Sequence, residues 1–363
     1  MQIINLDQNN ESHLEMWNSF LEECSHLIIH TPKYKEFIEK TFTKTKTEYL
    51  ALVEDDKQNK ENKTQKKIQL ILPIQIINHP ILGKKIISSG FLEYGSFSGQ
   101  DNESFTREIL HHINQTYSKD YNYLEIRQGL TQFNKHLEKN MIIKPEYKRF
   151  ELKLIDLETN WKLIQKEKRK AIRKSEREGI IIKEINKDCT PDSLKQVYKL
   201  YCKNMKQFGT PCFPKSYFEN FLNLGLGKIL GAYYNKKLVS LLVGFTHKDT
   251  IHLITAVSDK KYLWSRCNDA VHWHFIKYAI KNNYKIVDFG RVRLESGQFT
   301  YKKKWGCELK NLYHFYDLYQ TDKLPNEDPS TNAKFKLLTN VWKTLPLPLT
   351  KKIGPWTREG IGK

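Results

Sequence analysis

The chain contains no run of eighteen or more apolar residues, so no helix long enough to span a bilayer is expected. Its start, MQIINLDQNNESHLEMW, lacks a basic stretch followed by an apolar one, so no secretory signal is expected either. The six cysteines, Cys24, Cys189, Cys202, Cys212, Cys267 and Cys307, form no CxxC and match no zinc spacing. That pattern argues against a disulfide framework or a zinc module and fits reduced thiols in a cytoplasmic protein. Neither GxGxxG nor GxxxxGK[ST] occurs, which removes the Rossmann and P-loop signals. No motif calls for a cofactor. His272 and His274 are two apart, so on a helix they point to different faces and cannot share a metal; His111-His112 is no better. No Ser/His/Asp or Cys/His signature stands out. An enzyme built from this chain would work by positioning and electrostatics, without a covalent intermediate.

Acidic residues are also in short supply. Against 60 Lys and Arg stand 41 Asp and Glu, giving a formal net charge of +19 and a pI near 9.4. Such a surface attracts polyanions: nucleic acid, nucleotide phosphates or an anionic membrane face. A plain solubility surface would have the same net charge, so clustering decides between the two. With 363 residues, 39% of them hydrophobic, the chain can build one large core or two domains.

Periodicity gives the organisation. In the first half, helical spacing covers Glu11–Leu21 and Lys33–Phe42, and strands cover Glu48–Val53 and Ile68–Ile76. Between those strands, residues 55–67 read as a mobile hairpin loop. A helix at Ser104–Tyr117 and a strand at Tyr123–Arg127 follow. In the second half, a helix over Thr159–Glu178 stops at Gly179, and a strand runs over Ile180–Ile185. Helices at Pro191–Gln207 and Lys215–Leu224 come next. Three strands follow at Ile229–Tyr234, Lys237–Phe245 and Thr250–Val257. A helix over Arg266–Lys281 leads to strands at Tyr284–Phe289 and Cys307–Tyr319. Both halves thus run helices, antiparallel strands, a helix, then a strand. The boundaries are expected at 1–155, 156–323 and a Pro-containing basic tail, 324–363.

Two stretches are rich in cations. In WKLIQKEKRKAIRKSEREG, residues 161–179, Arg169, Arg173 and Arg177 recur every four residues and share a helical face, with Lys166, Lys170 and Lys174 beside them. Two aligned basic rows suit phosphate contact better than a mixed solvated face does, although an exposed helix remains the alternative. In VDFGRVRLESGQFTYKKKWG, residues 287–306, a strand ends at Gly290 and releases cations and aromatics at the carboxyl edge of a sheet, where α/β ligand sites tend to lie. Arg291 and Arg293 can hold phosphate or carboxylate through paired hydrogen bonds. One of Lys302, Lys303 and Lys304 facing inward could stabilise a developing oxyanion. The competing reading is a surface loop. The helix after Val257 opens as SDKKYLWSRCNDA, without the glycines that a pyrophosphate cradle needs, which argues against coenzyme A at that position. The tail from residue 334 carries seven basic residues and one acid, Glu359. It either docks on the protein or lies on an anionic membrane surface.

Several segments resemble the Fem-type aminoacyltransferases: EKRKAIRKSEREG, FGTPCFPKSYF, RCNDAVHWHFIKYAIKNNYKIVDFGRV and FTYKKKWG, with LPIQIINHPILGKKIISSGFLEYG and YLEIR in the first half. The ending WKTLPLPLTKKIGPWTREGIG resembles that of a Fem-like subgroup associated with exosortase and exopolysaccharide systems. The resemblance implies an α/β (α+β) fold of two tandem GNAT-like acyltransferase domains, with mixed, mostly antiparallel sheets flanked by helices. It also implies transfer of an acyl group to an amine. The family's aromatic-Lys catalytic pair falls on Tyr301-Lys302, with Tyr in place of Phe, and Arg291, Arg169 and Arg173 fall where phosphates would be met. Arg293, Lys304, Thr210, Asn268 and Glu295 complete the candidate substrate-binding set. The expected donor is an aminoacyl-tRNA or an acyl-CoA. The expected acceptor is a phosphate-bearing precursor of the cell envelope, peptidoglycan- or polysaccharide-related. No long coiled-coil insertion interrupts the second half. An acyl-CoA-dependent acetyltransferase and a non-catalytic binder of RNA or anionic glycan are the competing functions.

Overall fold

A computed structural model describes residues 1–55, 66–186, 189–294, 296–326 and 331–362, the side chain of Glu146 excepted. The expected loop at 55–67 lies, but for its ends, outside the described residues. In chain order the elements are β1 (Gln2–Asn5), α1 (Glu11–Glu23), α2 (Pro32–Thr41), β2 (Lys46–Asp55), β3 (Lys66–His79), β4 (Gly83–Ser88), β5 (Ser98–Gly99), α3 (Glu103–Tyr117), β6 (Tyr123–Arg127) and α4 (Asn134–Glu138). Then come β7 (Ile142–Lys153), α5 (Leu157–Leu163), α6 (Lys166–Arg177), β8 (Ile181–Glu184), α7 (Pro191–Phe208), α8 (Lys215–Asn223), β9 (Gly227–Tyr234) and β10 (Lys237–His247). The chain finishes with β11 (Thr250–Ser258), α9 (Cys267–Lys281), β12 (Ile286–Val292), α10 (Gly297–Lys303), β13 (Glu308–Leu318), α11 (Ala333–Thr344) and α12 (Leu347–Ile361).

Two compact units result. The first takes residues 1–146, 312–325 and 358–363; the second takes 147–311 and 326–357. In the first unit the strand order is β1-β2-β3-β4-β6-β13, with β5 beside β3. All of its pairs are antiparallel except β4 with β6, which α3 connects. In the second unit the order is β8-β9-β10-β11-β12-β7, antiparallel except for β11 with β12, which α9 connects. The two orders are one topology used twice, as the repeated element order suggests. Each sheet is completed by a strand from the other half of the chain: β13 beside β6, and β7 beside β12.

Local sequence explains most elements. Thr190 and Ser193 form a reciprocal cap at the start of α7, Pro191 fits the first turn, and Gly209 ends the helix at φ +73°. Strands β2, β3 and β10 are buried along most of their length and accordingly read as continuous apolar runs. The structure adds β1, α4 and β7, which the sequence reading does not place, and departs from it in three further places. The helix expected over Thr159–Glu178 is two, α5 and α6, because Ile164 is extended and buried in the core, and the Gln165 amide donates to Lys304 O at 3.1 Å. The Pro-punctuated tail is helical: Pro348 sits in the first turn of α12 and only Pro355 lies inside it. The segment after Gly290 holds a short helix, α10, which Ser296 caps by accepting the Phe299 amide at 3.1 Å.

Candidate active site

Strands β11 and β12 lie parallel over three residue pairs only, Thr250–Ile286, Ile251–Val287 and His252–Asp288, although both continue further. Beyond that point β11 stays with β10, while β12 pairs with β7 through Arg291–Arg149 and Val292–Lys148. The two parallel strands therefore part. A local cause is visible in β12. The buried Asp288 accepts the Gly290 amide at 2.7 Å, and Gly290 takes φ +73°, which glycine adopts at little cost. The register with β7 slips between Asp288 and Arg291, a bulge that re-aims the side chains that follow.

Helix α10 returns to this end of β12. The Lys302 ammonium donates to Gly290 O at 3.1 Å and to Arg291 O at 2.9 Å. Tyr301, its neighbour, faces a different cation. Lys168 Nζ from α6 stands 3.5 Å from the Tyr301 ring centroid and donates to Asp269 Oδ1 of α9 at 2.5 Å. Both members of that ion pair are less than a tenth exposed. The Tyr301 hydroxyl lies 3.4 Å from His272 Nδ1, and the same nitrogen lies 2.7 Å from Asn268 O, which requires a proton on Nδ1. Trp305, fully buried, packs against His272 and Phe289 and closes the cluster.

Burial shapes the protonation of this group. It pulls the Lys168 ammonium below its ordinary range, with the Asp269 charge working against it. Burial, helped by Asp269, pushes the Tyr301 phenol well up. Burial lowers His272 to about 4 against an ordinary 6.5, so the ring is neutral near pH 7. Between those values the unfolded chain binds a proton at this residue that the folded chain does not. Stability therefore rises with pH across the window and is lost as pH falls through it, by about 3 kcal/mol in full. Denaturant unfolding at neutral and at acid pH, on the natural chain and on His272→Phe, measures this. The variant should lose about 2–3 kcal/mol less on acidification; equal losses would contradict the account.

Beside the cluster lies a group of arginines. The guanidinium carbons of Arg291 and Arg293 stand 4.8 and 5.4 Å from the ring centroid of Tyr147 on β7, and Arg293 Nη2 donates to the Tyr147 hydroxyl at 3.1 Å. Arg149, the cross-strand partner of Arg291, bonds Glu151 at 2.6 Å and approaches Asp288 at 3.6 Å.

The other residues singled out in the sequence have more local places. Arg169 donates to the carbonyls of Trp161 and Lys162, at 3.3 and 3.1 Å, and so caps α5. Arg173 stands 5.6 Å from the Trp161 ring centroid. Lys304 is ion-paired with Glu167. The Thr210 amide donates to Met205 O at the end of α7. Asn268 joins the cluster through its carbonyl, and Glu295 lies outside the described residues. Sequence reasoning passed over Lys168, Asp269, Tyr147 and Arg149, and weighed His272 only as a metal ligand. The signals were present. Lys168 is four residues before the buried Ile172 on one face of α6, and Asp269 and His272 are three apart on one face of α9, on which Ile276 also lies buried. Among the described residues no group of three or more His, Cys, Asp or Glu could hold a metal ion.

Residues 164–303 match a family model described as an acetyltransferase (GNAT) domain. The structure superposes on the crystal structure of FemX with a TM-score of 0.64 at 11% identity, covering 88% of this chain and 98% of that one. The chain has a Fem-like tandem-GNAT fold. Its second unit carries a GNAT acyltransferase domain. The same tandem fold is shared with the C-terminal domain of a putative lysylphosphatidylglycerol synthetase from Agrobacterium fabrum, with a TM-score of 0.57 at 9% identity and coverage of 85% and 91%. A tandem GNAT protein from the clavulanic acid biosynthesis pathway gives 0.55 at 9% identity, with coverage of 89% and 99%. No curated protein sequence matches the chain. In this Fem-like frame, the parted β11 and β12 and the Lys302 contact fall inside, or directly at, the matched acetyltransferase segment.

Proposed function

We propose that the chain is a Fem-like N-acyltransferase that moves an acyl group, favoured to be an aminoacyl group on tRNA, to an amine of a phosphate-bearing cell-envelope precursor. The observation that carries the reading is the Lys302 ammonium, fixed on two backbone carbonyls where β12 leaves β11 and next in sequence to Tyr301. In the reaction the acceptor amine attacks the ester carbonyl, and Lys302 stabilises the negative charge that develops on its oxygen. The carbon–oxygen bond to the donor then breaks, the amide remains, and the proton lost by the amine goes to the departing oxygen. Tyr301, held by Lys168 and His272, shapes the wall of the site.

Arg291 and Arg293 hold phosphate. Their guanidinium groups lie together against the Tyr147 ring, so two planar cations face one place where a phosphate can be met by paired hydrogen bonds. Arg169 and Arg173 extend the basic surface along α6. Catalysis belongs to the second unit. In the first, the matching strand end is filled: the fully buried Arg127 donates to Leu92 O at 2.8 Å and Gly362 O at 3.1 Å and pairs with Glu125 at 3.0 Å. The favoured donor is supported by the amino end of α9. Its first turn, Cys267-Asn268-Asp269-Ala270, has no glycine to let a pyrophosphate approach the backbone.

The test is binding to a charged tRNA pool and to the same pool deacylated, at moderate salt. A protein of this charge holds any RNA at low salt, so only the difference is informative. Preference for the charged pool is the expected result. Equal, salt-sensitive binding to both would overturn the tRNA donor, and protection of the fold by coenzyme A would put acyl-CoA in its place.

A further inference from the structure

The tail suggested either docking or membrane contact, and its first helix does the first with one face only. Phe335, Thr339 and Trp342 of α11 are half-buried along one stripe. Thr339 meets the backbone of Gly209 at the end of α7, close enough that a Cβ there would stand 2.4 Å from its methyl group. On another face, spaced by three and four residues, Leu337, Leu338 and Val341 are 64%, 47% and 47% exposed. Lys334 shares that face, and Lys336 and Lys343 rise from the other flank. Phe208, one residue before Gly209, is also exposed. Three large apolar side chains within five residues make a patch, which a chain in water ordinarily covers or uses.

We infer that this face of α11 docks the second unit onto an anionic lipid surface. The charge around it selects that occupant. From Ala333 to Thr357 the chain has five lysines and no acid, and from Ser193 to Pro214 it has four lysines and no acid. A second copy seated on this face would set lysines against lysines with no carboxylate in either stretch to pair them, and the chain as a whole carries +19. RNA would use the lysines but leaves aliphatic leucines in water, since bases stack on aromatic rings. A bilayer whose surface bears acidic headgroups takes both. The leucines and valine enter the headgroup–acyl boundary, and the lysine stems reach past them to phosphate. The helix lies in the plane of the surface. It does not cross: no helix among the described residues is long and apolar enough to do so. The inference is independent of the acyl-transfer reading, because it uses none of the residues of that site.

Sedimentation of the full chain with vesicles tests it. One set contains one part phosphatidylglycerol to two parts phosphatidylcholine; the other is phosphatidylcholine alone. At physiological salt the protein should pellet with the first set and remain in solution with the second. The combined variant Leu337→Ser, Leu338→Ser, Val341→Ser removes exposed side chains only, so it should melt like the natural chain while its partition onto the anionic vesicles falls about tenfold or more. Lys334→Gln, Lys336→Gln and Lys343→Gln together should also weaken binding by about tenfold, since a lysine close to such a surface is worth up to about fivefold. Three results would overturn the proposal. One is vesicle binding untouched by the serine variant. A second is equal binding to neutral vesicles. The third is a dimer in solution that the serine variant dissociates.

Discussion

Replacing Lys302 with alanine should lower the rate of acyl transfer by about 10²-fold or more, which is what the loss of one preorganised oxyanion donor costs. The physical reason lies in where the ammonium is held. Gly290 O and Arg291 O fix it at the end of β12, so it needs no reorganisation as charge develops on a reacting carbonyl. The same two hydrogen bonds give Lys302 a structural share, and the measurement has to separate the two. Lys302 is only half-buried, and its removal should move the melting temperature by about 2–8 °C. Transfer is therefore followed at a temperature where both proteins are folded, with kcat and KM determined separately. A fall in kcat supports the charge-stabilising role. Near-normal turnover in the folded variant would contradict it.

The second large effect is on stability. Asp269→Ala leaves the Lys168 ammonium buried against Tyr301 and Trp305 without its carboxylate. Removing one partner of a buried pair costs about 3–5 kcal/mol, because the remaining charge stays desolvated. In a unit of this size that should lower the melting temperature by roughly 10 °C. The double variant Lys168→Met, Asp269→Leu removes both charges and keeps volume in the core, so most of the loss should be recovered. Calorimetry on the three proteins decides the matter. Asp269→Ala melting like the natural chain would show that the pair does not carry the packing of α6 on α9.

What the sequence disclosed follows a physical line. Elements that rest on local chemistry were legible. The capping box and Pro191 mark the start of α7, and the turn at Asn235-Lys236 joins β9 to β10. The repeat of one topology was also visible as element order. The exchange of closing strands was not, because pairing β7 with β12 and β13 with β6 depends on partners more than a hundred residues away. The split of α5 from α6 was missed for a similar reason. Ile164 leaves the helix to fill a core that only the tertiary fold defines.

The site shows the same contrast. Tyr301, Lys302, Arg291 and Arg293 stood out because cations and aromatics crowd after a buried strand. Lys168 and Asp269 stayed hidden because a charged residue in a basic helix, or in a first turn, reads as solvated until its partner is known. The cation over the Tyr301 ring comes from α6 and not from the adjacent lysine, which no local pattern could have indicated.

The central claim is that this fold forms amide bonds, and the most direct test is to watch one form. The purified chain is given a labelled aminoacyl-tRNA pool and, separately, labelled acyl-CoA, each with an extract of amine-bearing envelope precursors. Label held as an ester or thioester is released by mild base, whereas label held as an amide is not. The account predicts base-stable label from the aminoacyl-tRNA pool, dependent on both the acceptor extract and Lys302. Label that remains wholly base-labile with either donor would contradict it and leave a protein that binds anions at this site without transferring an acyl group.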